Sequence, residues 1–239
     1  MLLENLVFDA ADPQRLGRFW EAALGSRTLA DTADGFETRL DLPDGPVLDL
    51  CFQPVAAPND ASPRLHLDLL GGAERDAVVD RLLGLGARHL DIGQGDVPWV
   101  VLADPEGHAF CVMEERAAYR DTGPIAAVPL QGSDPERDAA FWAWLTGWQP
   151  PDGTAPVSLR HPSGRGLILE FLLEGDAKSG KNRLHLDVRL EPGEDADEVV
   201  AGVQERGATL VDHEWGELPW TVLTDPSGNE FCILPASAS

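Results

Sequence analysis

Residues 98–111 read PWVVLADPEGHAFC, and residues 219–232 read PWTVLTDPSGNEFC, so a long segment of this chain occurs twice. A period of about 120 residues is too long for a solenoid repeat and indicates a duplicated domain. The chain of 239 residues is therefore predicted to hold two similar domains, at 1–117 and 125–236, with a linker at 118–124. Two further pairs of segments recur at almost the same separation: RFWEAALG at 18–25 with AFWAWLTG at 140–147, and RLHLDL at 64–69 with RLHLDV at 183–188.

Each half shows the same order of predicted elements. An apolar strand, LENLVF at 3–8 or IAAVPL at 125–130, precedes an Asp-Pro pair. That pair suits the start of a helix, because aspartate caps free N–H groups and proline fits the first turn. Three strands follow the helix, and the series of strand, helix and three strands then occurs once more. The pattern predicts an α+β fold in which helices cover one face of a sheet.

The RLHLDL segment at 64–69 predicts which face of its strand is polar. Its leucines alternate with Arg64, His66 and Asp68, so the two sets point to opposite faces. The leucine face is expected to pack under the helices, which leaves the polar face for a ligand cleft. The copy at 183–188 repeats the arrangement.

The chain is strongly acidic, with a formal net charge of -23. The first 120 residues hold 21 of the 41 acidic side chains, so the charge is spread over both halves. Such a field repels nucleic acid and anionic lipid and attracts cations. Solubility is the simplest interpretation of the charge, and a cationic ligand is the alternative.

The cysteines and the N-terminal segment bear on location. MLLENLVFDAADP has no basic flank and no long apolar run, which predicts neither a signal peptide nor a membrane span. Cys51, Cys111 and Cys232 lack CxxC spacing and argue against a disulfide framework. This usage predicts a reduced, cytoplasmic compartment.

A helix that begins at Asp-Pro and carries Phe-Trp, a strand with HLD and a DPxGxxFC ending together resemble the vicinal oxygen chelate superfamily, in its glyoxalase-like and bleomycin-resistance-protein-like branch. The resemblance covers nearly the whole chain, as two tandem domains. It implies that each domain consists of two βαβββ modules that form a curled mixed sheet with an open cleft. It leaves the reaction open, because one fold hosts many chemistries.

Metal-dependent members of that superfamily carry four ligands on the strands that face the cleft. A divalent metal such as Zn, Mn, Fe or Ni is the cofactor that the resemblance implies, and cysteine can bind zinc as a thiolate. Asn5 is a poor ligand, however, and Ala127 cannot be one, which argues against the family's complete metal site. The positions implied by the resemblance are Asn5, Asp49, His66 and Cys111 in the first half, and Ala127, Glu170, His185 and Cys232 in the second.

The same residues have structural interpretations. Cys111 and Cys232 lie in apolar segments typical of half-buried strands, where cysteine serves as a small core residue. We therefore favour strand positions that line or underlie the cleft over metal ligation for both. His66 and His185 are equally consistent with hydrogen-bonded structural residues and with cleft contacts.

The tryptophans form two groups. Trp20 and Trp142, on the first helices, are expected to pack against the sheet. Trp99 and Trp220 each follow a proline on a strand, where an indole ring either packs in the core or stacks on a flat or cationic ligand. The two clefts need not bind the same molecule, because three tryptophans occur only in the second half. These are Trp144, Trp148 and Trp215.

The sequence leaves three functions open. The first is a binding protein of the bleomycin-resistance type, which holds a small cationic or aromatic molecule in its cleft without turnover. The missing first ligand, the cysteine in place of the usual last glutamate and the negative charge favour it. The residues expected to line such a cleft are Asn5, His66, Trp99, Cys111, His185, Trp220 and Cys232.

The second function is a metal-dependent enzyme, either a glyoxalase-type lyase or isomerase or a ring-cleaving dioxygenase, in which the metal polarises vicinal oxygens. The third is a scaffold in which one or both domains only complete the fold. For the enzyme, the expected metal groups are His66 with Asp49 and Cys111, and His185 with Glu170 and Cys232.

The duplication also predicts the oligomeric state. Single-domain relatives often dimerise to cover sheet edges, and two tandem copies can form the same pair within one chain. We therefore expect a monomer that is an internal pseudo-dimer.

Overall fold

The computed structural model describes residues 1–56, 63–151, 157–213 and 216–237. The first half contains two modules, with a 3₁₀ turn at Ala117–Tyr119 after the second. The first module comprises β1 Leu2–Ala10, α1 Pro13–Leu24, β2 Arg27–Thr32, β3 Gly35–Asp41 and β4 Val47–Pro54. The second comprises β5 Leu67–Leu70, α2 Arg75–Leu85, β6 Arg88–His89, β7 Val100–Ala103 and β8 Ala109–Met113.

The second half repeats this order with one reduced strand. After its first helix, the pairing corresponding to β2 is a single bridge between Gln149 and Arg160. Within the described ranges, no helix is both long and apolar enough to cross a membrane. The third module comprises β9 Ile125–Gly132, α3 Pro135–Thr146, β10 Ser158–Arg160 and β11 Ile168–Leu173. The fourth comprises β12 Leu184–Arg189, α4 Ala196–Glu205, β13 Thr209–Leu210, β14 Thr221–Thr224 and β15 Glu230–Leu234.

The strands form two curled mixed sheets, each built from two modules, which confirms the predicted α+β class. Sheet A has the strand order β13-β14-β15-β12-β1-β4-β3-β2, and sheet B has the order β10-β11-β9-β5-β8-β7-β6. The modules are joined by the antiparallel pairs β1–β12 and β5–β9. Each sheet therefore takes one module from each half of the chain.

The local signals for the first helix of each half are confirmed. Asp12 accepts a hydrogen bond from the backbone N–H of Arg15 at 3.0 Å, and Asp134 caps α3 in the same way. Gly25 and Gly147 end the two helices in the left-handed conformation, with φ of 68° and 69°.

The repeated DPxG segment ties the helices to the sheets. Trp20 on α1 is fully buried and donates its Nε1–H to Asp104 at 3.1 Å, and Trp142 on α3 donates to Asp225 at 3.2 Å. Both tryptophans pack in the main core, as predicted. Each contact joins the two modules of one half, so the helices pack within a half while the strands pair between halves.

Candidate functional site

Sheet A presents a deep concave face, here called cleft A, with a volume of about 1340 Å³. Its walls come from β1, β3 and β4 of the first half and from β12, β14 and β15 of the second. Neither half alone can form it. Four of the residues predicted from the sequence line this cleft: Asn5, His185, Trp220 and Cys232.

A row of polar side chains crosses cleft A. Asn5 on β1 pairs with Asp187 on β12 and, on its other side, with Asp49 on β4. Cys232 on β15 lies next to Asp187. The amide of Asn5 donates to one oxygen of Asp187 at 3.0 Å, so a residue from the first half orients an acid from the second.

Asp187 is the least satisfied acid of this row. It is 4% exposed, and its Oδ1 has no hydrogen-bond partner among the described residues. His185 Nε2 lies 3.4 Å from that oxygen, which is too long for a strong charge-assisted hydrogen bond. Donor atoms of His185, Asp187 and Cys232 all lie within 4.8 Å of one another. A buried carboxylate oxygen without a partner is unfavourable, so this point of the cleft suits a cation.

Carboxylates outnumber bases around cleft A. The lysine and the arginine of the lining are already paired, since Lys181 contacts Asp9 at 2.6 Å and Arg189 is hydrogen-bonded to Glu4. The lining acids are Asp9, Asp34, Glu37, Asp187, Asp212 and Glu230, and the bases are Lys181, Arg189, His185 and His213.

Burial, together with the negative potential, raises the pKa of several groups in cleft A. Burial, and next the charge of Asp49, raise the pKa of Glu37. Burial raises the pKa of the Cys51 thiol, with further contributions from Glu37 and Asp187. Burial and Asp187 likewise raise the pKa of Cys232. Each shift disfavours added negative charge in the cleft.

The concave face of sheet B, here called cleft B, repeats part of this arrangement. Donor atoms of His66, Asp68 and Cys111 lie within 4.8 Å of one another, and His66 Nε2 is 3.3 Å from Asp68. Ala127 pairs with Asp68 where Asn5 pairs with Asp187 in cleft A. Alanine has no side-chain donor, so Asp68 lacks the kind of hydrogen bond that the amide of Asn5 donates to Asp187.

Asp49 and Glu170 are expected from the sequence to occupy equivalent positions of the repeat, and the strand register shows that they do not. Glu170 on β11 pairs with Pro129, whereas on β4 the residue paired with Val7 is Cys51. Val7 and Pro129 are equivalent positions of the repeat, so Glu170 corresponds to Cys51 and not to Asp49.

The two expected carboxylate ligands also lie in the opposite clefts. Asp49 belongs to sheet A, where Arg39 donates to both of its oxygens at 2.7 Å. Glu170 belongs to sheet B, where burial and the charge of Asp68 raise its pKa. Each sheet combines one module from each half, an arrangement here called cross-pairing. Asp49 is therefore separated from His66 and Cys111, and Glu170 from His185 and Cys232.

Cleft B is filled by the chain itself. Tyr119, from the 3₁₀ turn between the halves, is 2% exposed and packs in a cluster with Cys111. Arg116 donates to the Tyr119 hydroxyl at 3.0 Å, and its guanidinium lies 5.7 Å from the centre of the Trp99 ring. Sequence reasoning missed Arg116 and Tyr119, because they lie at the join and have no copy in the repeat.

The remaining tryptophans lie in different environments. Trp99 packs on the apolar cluster of cleft B, and Trp220 on that of cleft A. Trp148 is buried in the main core, and a guanidinium at the end of α4 lies 4.0 Å over the ring of Trp144. Trp215 lies outside the described residues.

A family model described as a glyoxalase-like domain matches the chain twice, at residues 5–113 and 127–234. Glyoxalase I from Zea mays has a similar structure, with a TM-score of 0.67 and 16% identity over 98% of this chain and 92% of that one. A Bacillus subtilis protein named as a dioxygenase gives a TM-score of 0.64 at 15% identity over 100% of this chain and 86% of that one. At these identities the likeness shows the fold alone.

One curated protein is similar in sequence. It is the nicotinate catabolism cluster-specific transcription factor of Emericella nidulans, 29% identical over 187 residues. The match covers 67% of this chain and 20% of the fungal protein, so the chain spans about a fifth of the length of that relative.

Proposed function

The chain belongs to the glyoxalase-like domain family of the vicinal oxygen chelate superfamily, and we propose that within this fold it binds a small organic cation in cleft A. Asp187 is the counter-ion, and Asn5 orients it through the 3.0 Å hydrogen bond. Trp220 and Leu234 supply apolar contact area for the rest of the ligand.

The buried, half-satisfied carboxylate of Asp187 carries this proposal. One oxygen accepts from Asn5, and the other lacks a hydrogen-bond partner among the residues with described positions. A hydrogen bond to a charged group contributes about 1.5–3 kcal/mol, so a ligand cation at this oxygen supplies a strong anchor. The acid excess of the lining also lowers the affinity for anionic competitors and gives neutral ones no electrostatic gain.

Isothermal titration calorimetry with a matched pair of compounds tests the proposal. EDTA-treated, desalted protein is titrated with cyclohexylmethylamine and with cyclohexylmethanol, which differ in charge and hardly in shape. We expect the amine to bind and the alcohol to bind at least tenfold more weakly.

Asp187→Asn should weaken amine binding about tenfold, since it removes the charged partner. Asp68→Asn, the same change in cleft B, is the control and should leave the affinity within about twofold. Equal binding of amine and alcohol, or an undiminished affinity in Asp187→Asn, would contradict the proposal.

A second candidate function is metal-dependent catalysis in the same cleft. The buried donors of His185, Asp187 and Cys232 form a nitrogen, oxygen and sulfur set that fits zinc, and the unpaired Asp187 oxygen is one of them. A bound divalent metal would act as a Lewis acid on vicinal oxygens of a substrate, as in a lyase, isomerase or dioxygenase. Asn5 would then hold Asp187 in its ligating orientation.

Cobalt substitution tests this candidate directly. Titration of metal-free protein with Co²⁺ should produce a thiolate-to-cobalt absorption band if Cys232 is a ligand. The band should vanish in Cys232→Ser and persist in Cys111→Ser. Absence of tight uptake of Co²⁺, Zn²⁺, Mn²⁺, Fe²⁺ and Ni²⁺ by the wild type would rule the metal-dependent enzyme out.

The three cysteines are free and buried, which supports a reducing compartment such as the cytosol as the location.

A further inference from the structure

The two clefts of this chain differ in one respect that the duplication does not explain. Among the described residues cleft A is open, whereas cleft B holds Arg116 and Tyr119 from the join of the two halves. We propose that Arg116 and Tyr119 act as a built-in ligand of cleft B, so that the chain has one working cleft, and that the equivalent surface of cleft A takes an aromatic cation. The second part rests on the proposed function and names its ligand class.

Tyr119 occupies cleft B as a ligand would. It belongs to the same buried apolar cluster as Val101, Cys111 and Met113 on one face of sheet B. Its hydroxyl is 3.5 Å from a carboxylate oxygen of Glu170. With 2% of its surface exposed, the side chain fills the space above β7 and β8.

Arg116 supplies the cationic part of this internal ligand. Its guanidinium lies 5.4 Å from the centre of the Tyr119 ring and 5.7 Å from that of Trp99. The same group donates to Tyr119 Oη at 3.0 Å and to Glu114 at 2.6 Å. An aromatic ring and a planar cation are thus held together between an indole and an acid.

The backbone around this pair is fixed by side chains of both halves. Thr122 donates its hydroxyl to the carbonyl of Tyr119 at 2.9 Å. Arg160, from β10, donates to the carbonyl of Arg120 at 2.6 Å. The turn is therefore anchored at Tyr119 and at the residue that follows it.

Cleft A carries the matching surface, and it stays open in the part of the chain that the structure describes. The repeat places Trp220 where Trp99 lies, Val222 where Val101 lies and Cys232 where Cys111 lies. These residues form the corresponding apolar cluster, and all three line the open cleft. A free ligand with a flat ring and a cationic group meets there the contacts that Tyr119 and Arg116 make in cleft B, with Asp187 as the nearby acid.

The first test concerns the ligand class in cleft A. Benzylamine and cyclohexylmethylamine have the same charge, and only the first has a flat ring. By calorimetry the wild type should bind one benzylamine per chain, about fivefold more tightly than cyclohexylmethylamine. Trp220→Leu should abolish this preference, and Trp99→Leu, the matched change in cleft B, should retain it. Equal affinities for the two amines in the wild type would overturn the aromatic assignment and leave the proposed function intact.

The second test opens cleft B. Arg116→Ala/Tyr119→Ala, which removes both parts of the internal ligand, should bind a second benzylamine. In Tyr119→Ala, where Arg116 remains beside Trp99, p-cresol resembles the deleted side chain and should raise the melting temperature, but it should not raise that of the wild type. Tyr119→Phe keeps the ring and should still bind one benzylamine. Tyr119→Leu, with toluene in place of p-cresol, provides the same readout if the alanine variant does not fold.

The outcomes of the two tests are separable. One benzylamine site in a folded Arg116→Ala/Tyr119→Ala, together with no response of a folded Tyr119→Ala to p-cresol, would overturn the built-in ligand while leaving cleft A as a cation site. Absence of amine binding to the wild type, together with p-cresol stabilisation of Tyr119→Ala, would reject the proposed function and support the built-in ligand of cleft B.

Discussion

Asn5 and Asp187 are hydrogen-bonded at 3.0 Å although 182 residues separate them in the chain. The bond lies at the junction of β1 and β12, where the two halves form one sheet. It also orients the acid at the centre of cleft A. The equivalent pair in sheet B is Ala127 and Asp68, which cannot form such a bond. One interaction thus contributes both to the joining of the halves and to the difference between the clefts.

Substitution of Asn5 should therefore affect stability and binding together. Asn5→Ala removes the donor to a buried carboxylate and should lower the free energy of unfolding by about 1–3 kcal/mol. Asn5→Asp, of nearly the same shape, places a second carboxylate beside Asp187 and Asp49 and should cost more at pH 8 than at pH 5, where protonation relieves the repulsion. Urea unfolding at both pH values measures these differences. A cost of Asn5→Asp that is the same at both pH values would contradict charge repulsion with Asp187 and Asp49.

Asp225 predicts a pH dependence with a defined sign. Burial raises its pKa to about 6 from the ordinary 3.8, even though Trp142 and the backbone of Asn229 donate to it. The folded state therefore binds this proton more tightly than the unfolded state does. The resulting stabilisation is fully present below pH 3.8 and is lost as the pH rises through about 6.

Asp225→Asn should remove that dependence. Relative to the wild type, the variant should gain stability between pH 4 and pH 7, by about 3 kcal/mol at most. Denaturant unfolding of both proteins at half-unit intervals of pH measures the difference, in which the other titrating groups cancel. A difference that stays constant across this range would show that the pKa of Asp225 is not raised.

Gly17 on α1 and Gly84 on α2 should respond in opposite directions to alanine. A Cβ at Gly17 would come 2.1 Å from Cδ1 of Phe36, a buried side chain at the edge of cleft A, whereas a Cβ at Gly84 meets nothing within 4 Å. Gly17→Ala should destabilise by about 1–3 kcal/mol through overpacking. Gly84→Ala should stabilise by about 0.5–1 kcal/mol through helix propensity. Thermal unfolding measures both, and a neutral Gly17→Ala would mean that Phe36 can move at little cost.

Local features of this fold could be predicted from the sequence because their causes are local. Asp12 and Gly25 bound α1 through a side-chain cap and a left-handed turn, and both lie within a few residues of what they determine. Alternation in RLHLDL fixes the buried face for the same reason. Leu65 and Leu67 are indeed in the core, while His66 faces cleft B.

The partner of each strand could not be predicted in this way. Alternation specifies a face and says nothing about which strand lies alongside, so the pairing of β1 with β12 separated Asp49 from His66 without any signal in either segment. Tyr119 was not identified from the sequence for a different reason. The internal repeat identified sites by their two copies, and a residue of the join has only one.

Cross-pairing also predicts how the two halves depend on each other. β1 completes sheet A only with β12, and β5 completes sheet B only with β9, so each half alone exposes two strand edges. Fragments 1–122 and 123–239, expressed separately, should aggregate or self-associate. Coexpressed, they should copurify as a one-to-one complex with the mass of the intact chain, 25.8 kDa.

The intact chain should itself be a monomer by light scattering, because its own modules already cover these edges. Independently folded, monomeric fragments would contradict the shared sheets, and an intact chain of twice the monomer mass would contradict the internal pseudo-dimer.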